Sequence, residues 1–67
     1  MSGEKLGGVI VGRLYHHVKS GKIYRVCMLA NMEATNEHVV VYSDPLRTEQ
    51  NWVRPIDEFC DGRFQLA

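Results

Sequence analysis

The sequence predicts an all-β fold in which five short strands curl into a small barrel, with one helical turn just before the last strand. Three observations predict it. Runs of β-branched and aromatic residues are punctuated by Gly, Pro and Asn. No window of about eleven residues repeats apolar side chains at the three- and four-residue spacing of an amphipathic helix. A chain of 67 residues cannot lay five strands flat without exposing an apolar face, and curling buries that face and protects the edges.

The elements follow in order. Residues 1–8, Met-Ser-Gly-Glu-Lys-Leu-Gly-Gly, read as a flexible N-terminal segment, and residues 9–67 as a single domain. Val9 to His17 supplies the first strand, bent or ended near Gly12. Lys19-Ser20-Gly21-Lys22 is a turn signal, and Ile23 to Ala30 is rich in strand formers. His38 to Tyr42 is almost wholly β-branched and aromatic and stops at Ser43-Asp44-Pro45, because proline cannot continue a ladder. The seven residues between these runs suit a hairpin, with Asn36 the residue best able to take a left-handed backbone. Ser43 to Asn51 reads as a linker, and Asn51 to Arg54 is a strand cut off by Pro55. Pro55 to Phe59 is one helical turn, with Pro at its start and acids early in it. Gly62 ends the turn, and Arg63 to Leu66 alternates as a short closing strand.

Strand, long connection, hairpin, strand, short turn and last strand is the order of SH3-like barrels. Val26, Met28, Val53 and Phe59 are the expected core. The Ile23–Ala30 strand is apolar on both faces, with Val26, Met28 and Ala30 on one and Ile23, Cys27 and Leu29 on the other. A half-exposed antiparallel strand alternates more cleanly, so a homo-oligomer, at least a dimer, is expected.

Eight Lys and Arg balance eight Asp and Glu, which argues against a bulk polybasic grip on nucleic acid or on an acidic membrane surface. No apolar run approaches the ~20 residues that span a bilayer. The first residues lack the pattern of a secretory signal, and a cytoplasmic location is expected. Cys27 and Cys60 stand at no metal-ligand spacing and read as reduced thiols, although a disulfide between them stays open.

Two clusters carry the candidate binding chemistry. In an extended strand Tyr15, His17 and Lys19 share a face, with Tyr24 starting the next strand beside them. Imidazole, ammonium and aromatic rings together suit an anion or a nucleotide, and equally make a packed cross-strand cluster. Trp52 and Arg54 share a second strand face, and Tyr42 joins them among the candidate binding residues. An indole beside a guanidinium is a platform for a phosphate, a carboxylate or a base. It can also close the open side of a barrel, with Arg54 pairing to Asp57 or Glu58. Zinc at His16, His17 and His38 is not expected, because adjacent strand residues point to opposite faces and no further ligand completes a tetrahedron. No cofactor is expected. No catalytic motif is present, and a barrel this small has a filled interior, so the chain is not expected to be an enzyme.

The succession Tyr15-x-His17-x-Lys19, Gly21-Lys22-x-Tyr24-x-Val26, Val40-Val41-Tyr42, Trp52-Val53-Arg54-Pro55 and Phe59 resembles a small bacterial and phage family, the domain of unknown function numbered 1653. The resemblance runs from about Gly12 to Phe64, with departures at His16, Val18, Asn36 and the 43–51 segment. It implies an SH3-like barrel, cytoplasmic, free-standing or fused to other domains, and no established activity.

Three functions fit these residues. The first is a binding module that recognises a macromolecule, a protein above all, through Tyr15, His17, Lys19, Tyr24, Tyr42, Trp52 and Arg54. The second is a homo-oligomeric binder of a small anionic ligand such as a signalling nucleotide. The third, nucleic-acid binding, is disfavoured by the zero net charge.

Overall fold

The computed structural model describes residues 5, 6 and 8–67, so the flexible segment expected over 1–8 lies largely outside the described residues. The elements are β1 (Lys5–Leu6), β2 (Val9–Ile10), β3 (Leu14–His17), β4 (Ile23–Asn31), β5 (His38–Asp44), β6 (Arg47–Pro55), α1 (Ile56–Phe59) and β7 (Phe64–Leu66). β1 and β2 pair as a separate hairpin, and the other five form one antiparallel sheet in the order β6–β5–β4–β3–β7. The chain is mostly β, as its sequence predicts. None of its described helices is long and apolar enough to cross a membrane.

Local chemistry places the breaks. The first predicted strand divides at Gly12, whose φ of 90° lies in the region glycine enters without a Cβ penalty. Asn36 adopts the expected left-handed conformation at φ 59°, and the β4–β5 hairpin closes with Met32 N donating to Glu37 O at 2.8 Å. Pro55 precedes α1, Asp57 and Glu58 occupy its first turn, and Gly62 reverses the chain at φ 102°.

The 43–51 segment differs from the expected linker. β5 continues to Asp44 and β6 begins at Arg47, joined by a two-residue turn at Pro45 and Leu46. Asp44 Oδ1 accepts from Leu46 N at 2.8 Å, an Asx turn around the proline. β6 is an edge strand, so its early residues need no apolar alternation, which is the signal the sequence lacks there.

The core consists of Val9, Tyr15, Val26, Val40, Tyr42, Phe59 and Phe64, with Val11, Tyr24, Leu29 and Ile56 packed against it. Val26 and Phe59 are core residues as expected; Met28 and Val53 are not, at 53% and 54% exposed. The cause is a bulge. Val26 pairs with Tyr42 and Met28 with Val41, which leaves Cys27 as an extra residue and reverses the parity of β4. Leu29, opposite Val40, therefore returns to the core side while Met28 turns outward. Val53 pairs with Val41 on that outer side, whereas Trp52 and Arg54 pair with the buried Tyr42 and Val40.

The sheet curls without closing into the predicted barrel. In a flat sheet with strands ~4.8 Å apart, β5 and β7 would stand about 14 Å from each other. Tyr42 of β5 instead lies 5.4 Å from Phe64 of β7, ring centre to ring centre. α1 carries the chain from one edge to the other, and Phe59 packs on Tyr15, Tyr42 and Phe64 beneath the curve. Among the described residues no ladder joins β6 to β7.

Candidate binding site

The seven predicted binding residues divide into two groups. Tyr15 is buried and works inside the fold: its hydroxyl accepts from Ile10 N at 3.0 Å, tying the β1–β2 hairpin to the sheet. Tyr42 is also buried, and Tyr24 is half-buried with its ring 5.2 Å from Tyr42 and 5.6 Å from Trp52. These tyrosines are packing residues, because the curl turns their face inward. Trp52 stays 37% exposed, its ring stacked on Tyr42 at 6.2 Å.

The second group meets at one open depression of about 710 Å³, lined by His17, Val18, Lys19, Arg54, Asp61, Gly62 and Arg63. β3 and its following turn bring His17 and Lys19, β6 brings Arg54, and the turn before β7 brings Arg63. The His17 ring packs 4.9 Å from Phe64, and its Nδ1 lies 2.8 Å from Ser20 Oγ. Lys19 is exposed and enters no ion pair among the described residues.

Arg54 is held from three sides. Its Nε donates to Tyr42 Oη at 3.3 Å, its Nη1 donates to Glu58 Oε1 at 3.4 Å, and its guanidinium carbon lies 5.4 Å from the Phe64 ring centre. The Tyr42 hydrogen bond raises its pKa above the ordinary arginine value, burial opposes the rise, and Glu58 and Asp61 add to it. The cation is therefore permanent. Of the two partners considered for Arg54 in the sequence, Glu58 is the one engaged, and its Oε1 also accepts from Arg63 Nη1 at 3.2 Å. Arg63 in turn donates through Nε to Asp61 Oδ2 at 3.1 Å.

Sequence reasoning did not single out Arg63 or Asp61. The available signal was Asp61-Gly62-Arg63, an acid and a base astride a turn residue, which is short enough for the two side chains to meet. The three histidines do not converge. His16 stands opposite Ile23 and Gln65, while His38 sits at the other end of β4, where its Nδ1 meets Asn31 Nδ2 at 3.3 Å. Among the described residues no group of three His, Cys, Asp or Glu side chains is placed to hold a metal ion. Cys27 and Cys60 are not joined by a disulfide; Cys27 Sγ lies 3.2 Å from Ser43 Oγ at the bulge, and burial, with Asp57 and Asp61, pushes the Cys60 thiol up.

No curated protein and no solved structure gives a match to the chain. A family profile does, over residues 13–64, which takes in the sheet from β3 through β6, the helical turn and the first residue of β7. With most of its length inside that match, the chain belongs to the family described as "Protein of unknown function (DUF1653)".

Proposed function

We propose that the chain is a small, non-catalytic binding module of SH3-like architecture, which recognises an acidic segment of a protein partner. One observation carries this reading: His17, Lys19, Arg54 and Arg63 converge on a single open depression from three separate parts of the chain. Trp52, two residues from Arg54 on the same strand face, adds a half-exposed indole, and indole and guanidinium groups are frequent anchors of protein interfaces. An open site whose arginines and carboxylates are already paired with one another suits recognition better than turnover. The SH3-like reading rests on the strand order and on the side-chain contacts by which the two sheet edges meet.

The test is affinity capture with the intact chain, followed by Lys19→Glu and Trp52→Ala. Both side chains are exposed, so each variant keeps the native circular dichroism spectrum. Each should release the captured protein, and Lys19→Glu should also remove the salt dependence of its binding. A partner retained equally by both variants would place recognition elsewhere on the molecule.

A further inference from the structure

The depression also has features that bear on the shape and charge of its ligand. Its donors arrive from three directions: the turn after β3, strand β6 and the turn before β7. A carboxylate offers two oxygens in one plane and is satisfied by a single guanidinium fork. A tetrahedral oxyanion presents three terminal oxygens, which separate chain segments can each approach. The charge count points the same way. Lys19, Arg54 and Arg63 line the depression with Asp61, Glu58 bridges the two arginines, and together they make three cations against two carboxylates, with a second His17 ring nitrogen besides the one at Ser20.

Glu58 occupies the position an incoming anion would want. Its Oε1 spans Arg54 at 3.4 Å and Arg63 at 3.2 Å, both longer than the ~2.7–2.9 Å of strong charge-assisted hydrogen bonds. The Glu58 side chain is 46% exposed, so it can swing into water when a better anion arrives. A phosphate monoester, with a charge of roughly −1.5 to −2 at neutral pH, outcompetes this single carboxylate where another carboxylate would merely match it.

We infer that the depression binds a phosphate monoester carried on a side chain of the protein partner, with Lys19, Arg54 and Arg63 supplying the charge and Glu58 acting as an internal competitor. This rests on the reading of the same face as a binding surface. No bond is made or broken; a solvated phosphate replaces the Glu58 carboxylate on the two arginines.

The experiment is a 15N chemical-shift titration of the full chain at fixed ionic strength. The probes are a short phosphoserine peptide, the same peptide with glutamate at that position, and adenosine 5′-monophosphate. The phosphopeptide should shift the amides of Lys19, Gly62 and Arg63 and bind at least tenfold more tightly than the glutamate peptide. Lys19→Gln should weaken it at least fivefold, and Glu58→Gln should tighten it about threefold. Equal affinity for the two peptides would overturn the phosphate inference while leaving an acidic-segment module standing. Silence from all three probes would overturn both. Binding of the nucleotide as tight as that of the phosphopeptide would support phosphate recognition and overturn the protein side chain as its source.

Discussion

The guanidinium of Arg54 lies over the ring of Phe64, so a cation from one edge strand covers an aromatic from the other. This contact, with α1, links edges that no ladder joins among the described residues. A double-mutant cycle with Arg54→Met and Phe64→Leu should give a coupling of about 0.5–1 kcal/mol, the size expected of a half-exposed cation–π pair. Urea denaturation measures it. A coupling of zero would leave Tyr42 and Glu58 as the holds on Arg54 among the described residues.

Phe59 is 2% exposed and stacks on Phe64 with ring centres 4.2 Å apart. Phe59→Ala should cost about 3–5 kcal/mol, as much as a core this small is expected to supply, and abolish the cooperative thermal transition. Met28→Thr and Val53→Thr sit outside that core. Each should cost no more than about 0.5 kcal/mol by chemical denaturation, the usual range for exposed positions. A loss of several kcal/mol at Val53 would return it to the interior.

Asn36 holds φ at 59° and accepts through Oδ1 from Asn31 Nδ2 at 3.1 Å. Asn36→Val should lose about 1–2 kcal/mol, since a β-branched residue pays the full left-handed penalty. Asn36→Gly should stay within about 0.5 kcal/mol, exchanging the side-chain hydrogen bond for backbone freedom. Melting curves of the two variants separate backbone strain from the lost hydrogen bond.

The Cys60 thiol is held above its ordinary pKa by burial first, then by the negative charges of Asp57 and Asp61. All three causes disfavour the thiolate. Cys60 should react more slowly with iodoacetamide than a small free thiol at about pH 8, and its rate should climb as pH rises further. The linkage has the matching sign: the folded chain binds this proton more tightly, so any stability it lends is lost as pH rises through the thiol's titration. Asp61→Asn should speed alkylation, and an unchanged rate would remove that carboxylate as a cause.

Much of the fold could be read because single residues dictate backbone. Gly12, Asn36, Pro55 and Gly62 each mark a conformation or a break that few other residues tolerate, and the structure places a turn or an element boundary at each. The errors have one source. Cys27 and Met28 carry no mark of a bulge, so strict alternation assigned Met28 to the core. The same habit placed Val53 inside, although Val53 pairs with Val41 on the outer face and it is Trp52 and Arg54 that pair with buried residues of β5. For the site, a pairing of Arg54 with Asp57 or Glu58 was legible from their closeness in sequence, whereas Arg63 joins Arg54 and Glu58 because α1 carries the chain back across the curl.

The extra residue at Cys27 is one that the β4–β5 ladder passes over. Deleting that one position would leave Met28 outward opposite Val41 and Leu29 inward opposite Val40, because Val26 and Met28 already face consecutive residues of β5. A one-residue deletion there should thus register as a straightened strand with the same core, its local loss being the contact of the Cys27 thiol with Ser43.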